Sequence, residues 1–258
     1  MKNNFMLKIA TAIAYFVMII VNYLANALPI GGVTTGQASD NFANLFTPAG
    51  ITFSIWGLIY LLLLGYTIYQ FIWEKSKNQA ELFARINKLF LLTSLANIAW
   101  IFAWHYGIIW LSLLIMITLL ILLIKIANIV NHQENLKLNT IFVRLPFSIY
   151  FGWITIATIA NVTVFLQSIT WNAFGISDQI WMIVVLLVGA TIGISRMFKD
   201  KNIYYGLVLV WAYFGIWIKH TSSDGFNSNY QNIISVVIFC ITLFVISIGY
   251  LAYRKIKS

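Results

Sequence analysis

The chain has 258 residues, of which 61% are hydrophobic and 9% charged, with a formal net charge of +9. Globular chains are about 25% charged, so this composition, with a mean hydropathy of +0.86, excludes a soluble domain and points to an integral membrane protein. The single cysteine, Cys240, excludes an intrachain disulfide, and soluble-hydrolase, phosphate-loop and zinc motifs are absent.

Eight apolar segments approach or reach the length needed to span a hydrocarbon layer of ~30 Å. They cover residues 7–28, 49–73, 87–105, 107–131, 144–168, 179–196, 203–219 and 231–253, and the seventh is the shortest. The first follows a basic start and ends at Ala25-Asn26-Ala27, which looks like a signal-peptidase site. Its apolar run is longer than a signal core of ~7–15 residues, so it reads as an uncleaved span. Asn22 and Asn26 share one face of it.

The loop 29–48 is polar and glycine-rich, with Pro29, Gly31, Gly32 and Gly36, and Asp40 as its one charge. It is expected to be irregular. It reads either as a tether between two spans or as a lid over a site.

The second span opens with Phe46-Thr47-Pro48. Pro48 suits a first helical turn, where its missing N–H is not needed, and Thr47 suits the N-cap before it. Phe53, Trp56 and Tyr60 then fall at i, i+3 and i+7, one helix face. Asn97, Trp100 and Trp104 repeat that spacing in the third span, which a tight turn at His105-Tyr106-Gly107 separates from the fourth. The fifth carries Tyr150, Trp153, Ala157 and Asn161 on one face. By helical rise, these stripes fall in the outer half or near the middle, so they could converge on one aromatic cavity beneath the 29–48 loop.

The same residues also fit plainer structural roles. Trp73, Trp104, Trp110, Trp171, Trp181 and Trp217 suit an interfacial aromatic belt. Trp56 and Trp153 lie too deep for it and read equally as core or as ligand-lining. Asn22, Asn26, Asn97 and Asn161 read first as interhelical hydrogen-bonding groups. His105 and His220 lie at outer helix ends, where haem ligation is a minor reading beside simple solvation, and His132 lies on the opposite side. No Asp or Glu sits mid-span, which argues against ion-coupled transport.

Lys2, Lys8, Lys75, Lys77, Arg85, Lys88, Lys125, Lys137, Arg144, Arg196, Lys199, Lys201, Arg254, Lys255 and Lys257 fall on one side of the eight-span topology, and Lys219 alone on the other. By the positive-inside rule both termini are cytoplasmic, in a multi-pass protein of the cell membrane. The basic excess is then topological, and no nucleic-acid partner is expected.

These motifs together resemble the tryptophan-rich sensory protein family, also called TspO or translocator protein. Phe46-Thr-Pro48 and Ile55-Trp-Gly-Leu-Ile-Tyr60 are similar to its second-helix pattern, Ser94-Leu-Ala-Asn97-Ile-Ala-Trp100 to its third, and Tyr150-Phe-Gly-Trp153 with Asn161 to its fifth. The chain departs in having one proline where the family usually has two, Phe46 in place of a Trp, Pro146 about a turn early, and three further spans. The resemblance implies an all-α polytopic transmembrane bundle, with a TspO-like five-helix core over residues 1–168 and a three-helix extension over 169–258. It also implies a receptor or carrier that binds a hydrophobic aromatic ligand, a tetrapyrrole such as protoporphyrin or haem, for sensing or translocation. No cofactor is required. The ligand residues it implies are Phe53, Trp56, Tyr60, Asn97, Trp100, Tyr150, Trp153 and Asn161, with Phe46, Thr47 and Pro48 at the lid. The expected partners are the lipid bilayer, a hydrophobic small molecule and, as an option, a second copy in a homodimer. The alternatives are a membrane enzyme acting on a porphyrin or isoprenoid-like substrate, and a small-solute permease. No catalytic or metal-binding cluster is visible, which weighs against the enzyme.

Overall fold

The computed structural model describes residues 2–28, 30–42, 44–73, 76–131 and 140–257. Pro29, Lys75, His132 and Lys137 lie outside these residues. Among the described residues there are nine α-helices: α1 (Lys2–Ala27), α2 (Thr35–Asp40), α3 (Ile55–Ile72), α4 (Lys77–His105), α5 (Ile109–Asn131), α6 (Leu145–Ser168), α7 (Asp178–Asp200), α8 (Ile203–Thr221) and α9 (Gln231–Lys257). All eight expected apolar segments are helical. Seven are long and apolar enough to cross a membrane, so this is a multi-pass membrane protein. The eighth, α8, has 19 residues, about 28 Å of rise, and its polar aromatic residues and closing Lys219-His220 dilute its apolarity.

Polar side chains set several helix starts. Ser76, Ser177 and Asn202 accept from the backbone N–H of Gln79, Ile180 and Tyr205, each satisfying a donor that the first turn leaves free. The expected cap at Thr47 does not form. A 3-10 turn over Gly50–Ser54 leads into α3, and its N-cap, Ala49, offers no side chain. The Thr47 hydroxyl is occupied instead by Asn44, 2.9 Å away. The loop expected to be irregular contains a 3-10 turn, Ile30–Gly32, and the short helix α2.

The chain divides into two compact units, residues 1–38 with 56–151, and residues 39–55 with 152–258. In the first, α1 and α5 both pack on α4. Its interior holds a polar network: Asn87 donates to Gln70 and accepts from Tyr66 Oη at 2.7 Å, while Lys8 Nζ donates to Gln70 O at 2.8 Å. The Lys8 ammonium also lies 5.8 Å from the ring centroids of both Phe71 and Phe83, within cation–π range. Higher on α1, Asn22 Nδ2 donates to Asn97 Oδ1 at 2.6 Å, the interhelical role read for both residues.

In the second unit α7, α8 and α9 pack on one another, and glycines let them approach. A Cβ on Gly206 would meet Met197 Sδ, one on Gly193 would meet Leu209, and one on Gly152 would lie 2.9 Å from Val208 Cβ. Tyrosine hydroxyls close the remaining gaps. Tyr213 Oη donates to Leu186 O at 2.7 Å, and Tyr205 Oη to Thr155 Oγ1 at 3.2 Å.

Candidate functional site

The expected ligand residues fall into two groups, one in each unit. In the first, Trp56 stacks on Tyr60 with centroids 5.5 Å apart and meets Tyr150 edge-on at 5.9 Å. Helical spacing places Trp56 and Tyr60 one turn apart on α3. The Tyr150 hydroxyl and the Asn97 side chain face each other. Trp100, one turn beyond Asn97, stacks on Trp104 at 5.5 Å. Asn97, Trp100 and Tyr150 are buried, whereas Trp56 and Tyr60 are half-buried. Tyr60 Oη and Trp100 Nε1 are buried atoms with no hydrogen-bond partner among the described residues.

Phe53, Trp153 and Asn161 belong to the second unit. Phe53 meets Trp153 edge-on at 5.8 Å. Phe53 lies in the 3-10 turn that leads into α3, where side chains three residues apart eclipse. Trp153 and Asn161 are buried along α6.

Phe46, Thr47 and Pro48 are all buried. Asn44 Oδ1 accepts from the N–H of Phe46 at 3.0 Å and of Thr47 at 2.9 Å. Three bonds to α8 then hold the segment: His220 Nε2 donates to Leu45 O at 2.9 Å, Ala49 N to Gly215 O at 3.0 Å, and Trp211 Nε1 to Thr52 O at 3.0 Å. In the first unit His105 plays a matching part. Its Nδ1 lies 2.9 Å from Ile30 O and its Nε2 3.1 Å from Thr35 Oγ1. A carbonyl only accepts, so Nδ1 carries the proton and Nε2 accepts from the threonine. Trp104 Nε1 adds a bond to Thr35 O at 3.2 Å. Both histidines are thus engaged in loop anchoring, and Trp104 is an interior anchor, 5% exposed, rather than a belt residue. Burial pushes the His220 imidazole below its ordinary 6.5, against the opposing effect of its bond to Leu45.

Sequence reasoning missed a cavity in the second unit. It has a volume of 440 Å³ and is lined by residues that include Gln167, Trp171, Asp178, Trp181, Phe226 and Tyr230. Trp171 and Trp181 meet edge-on at 4.8 Å, as do Phe226 and Tyr230 at 5.3 Å. A smaller groove of 220 Å³ shares Thr163, Leu166, Trp181 and Val185 with it and continues between α6 and α7 past Val188 and Gly189. These aromatic residues come from separate loops and helices, so no periodicity joins them. Among the described residues no group of three His, Cys, Asp or Glu side chains could hold a metal.

A family model described as TSPO-like protein matches residues 8–250. The chain belongs to the TSPO-like protein family. The match carries the resemblance seen in α3, α4 and α6 through the last three helices of this TSPO-like chain. No curated protein and no solved structure matches it.

Proposed function

We propose that this TSPO-like protein is a membrane receptor or carrier for a flat hydrophobic aromatic ligand of the tetrapyrrole class, such as protoporphyrin or haem, taken up at the aromatic cluster of the first unit. The observation that carries this reading is the pair of buried donors, Tyr60 Oη and Trp100 Nε1, without partners among the described residues. Each such group costs about 1–3 kcal/mol while unsatisfied, and a ligand bearing carboxylate or carbonyl oxygens would recover that energy. Trp56, Tyr60 and Tyr150 offer ring surface for a flat ligand to stack on, and family membership supports the same class. The basic residues that crowd one side of the spans support cytoplasmic termini. Reporter fusions at both ends would test that orientation.

Titration of detergent-purified protein with protoporphyrin IX, followed by tryptophan fluorescence, tests the ligand class. Saturable quenching at micromolar ligand is expected. Tyr60→Phe should weaken it about tenfold, the equivalent of one well-made hydrogen bond, and Trp56→Leu should weaken it further. Binding indifferent to both changes would sink the assignment to this cluster, and absence of saturable binding would sink the tetrapyrrole class.

A further inference from the structure

The cavity of the second unit uses none of the residues that Proposed function gives the tetrapyrrole, and it takes Phe46, a lid residue by the family resemblance, into its own wall. Its walls combine four half-buried aromatic rings with a single ionisable carboxylate. Of the residues that line the cavity, Asp178 alone carries a formal charge, and the His220 imidazole lies behind Phe226 and Tyr230, with ring centroids 4.8 and 5.8 Å away. In each edge-on aromatic pair, at 4.8 and 5.3 Å, the two rings lie nearly perpendicular and can present ring faces toward a guest. Such faces attract cations through their quadrupole. Gln167 supplies a neutral polar group at the same rim. Asp178 stands in the first turn of α7, where the helix end contributes roughly half a positive charge. The full negative charge of the carboxylate outweighs it, so the cavity as a whole favours a cation.

The groove that continues from this cavity constrains the rest of the guest. Its lining is apolar apart from Thr158 and Thr163. It runs along α6 and α7 in a multi-pass protein, where Val162, Val184 and Val188 are exposed toward what would be the hydrocarbon layer. A guest that fills both parts has a charged head and an apolar body.

We propose that this cavity and groove form a binding site for an amphipathic organic cation, with an ammonium or quaternary ammonium head held by Asp178 and the Trp171, Trp181, Phe226 and Tyr230 rings, and its apolar chain along Val185 and Val188. The head could belong to a free alkylammonium or to the choline group of a membrane lipid. The combined volume suits a drug-sized ligand, and the site is separate from the one under Proposed function.

The test uses the full chain in non-ionic detergent and tetradecyltrimethylammonium below its micellar concentration, followed by tryptophan fluorescence. Saturable binding is expected, at least tenfold weaker in Asp178→Asn and restored in Asp178→Glu. Asp178 is exposed, so these variants should fold; protoporphyrin binding unchanged in both would separate this site from the first unit's. Tetradecanoate, with the opposite charge on the same chain, should bind at least tenfold more weakly than the cation to the wild type. Added phosphatidylcholine that competes with the probe would identify the lipid headgroup as the source, and no competition would identify the free amphiphile. Equal affinity in wild type and Asp178→Asn, or preference for tetradecanoate, would overturn the proposal.

Discussion

The two units solve the same problem in different ways. Each must bring apolar helices together where the surrounding hydrocarbon supplies no hydrophobic drive. The first unit does so with side-chain polar networks. Asn87 ties Tyr66 to Gln70, and Asn22 ties α1 to α4 through Asn97. The second unit relies on close backbone approach. Gly152, Gly189, Gly193, Gly206 and Gly215 sit where a Cβ would meet a neighbouring side chain or backbone within about 3 Å. Polar networks fix partners and can leave donors unsatisfied, as at Tyr60 and Trp100. Glycine contacts fix distance but fill space poorly at their edges, and the second unit has its cavity where α6 and α7 meet the loops at one end.

Damage should therefore stay within its own unit. The largest effect is expected at Gly215. A Cβ there would overlap Thr52 Oγ1, so Gly215→Val should destabilise the second unit by about 3 kcal/mol. Hydrogen exchange should rise in α8 and in residues 44–54 and not in α4 or α5, and Thr52→Ala should restore part of the loss. Spread of the exchange into α4 would break the comparison. Next comes Asn87→Leu, which leaves Tyr66 Oη and Gln70 Oε1 without the partner each has. A loss of about 2 kcal/mol is expected, read as thermal unfolding in detergent, with the α8 amides unaffected.

The smallest effect is the pH response of His220, which lies past the apolar stretch of α8. Burial lowers its pKa below 6.5, so the folded protein prefers the neutral imidazole. Its Nε2–H bonds to Leu45 O, and its buried Nδ1 has no partner among the described residues to receive a new proton's bond. The unfolded chain therefore binds more protons once pH falls below about 6.5. This contribution is complete above that pH and is lost as pH falls further. The melting temperature of the wild type should drop between pH 7 and 5.5, with exchange rising first at residues 44–49. His220→Phe should be less stable at pH 7 but flatter across the same range. An identical slope in both proteins would assign the pH response to other groups.

The sequence by itself determined the membrane class, the eight helical segments and the family. These depend on composition, on runs of about 20 apolar residues and on motif order, all properties of the chain read in one dimension. It also put Trp56 and Tyr60 on one face of α3 by helical spacing, whereas the approach of Tyr150 to Trp56 and of Asn97 to Tyr150 joins different helices and was decided by packing. Tertiary structure decided the rest. Phe53 meets Trp153 of α6, a contact between elements far apart in the chain. Trp104 and His105 became loop anchors because the backbone carbonyls of Ile30 and Thr35 come to them through space. The cavity of the second unit joins Trp171, Asp178, Tyr230 and Leu45, residues that no helical period relates. Local spacing fixes what lies on one helix face, whereas which loops close over a helix end depends on long-range packing that a linear pattern does not encode.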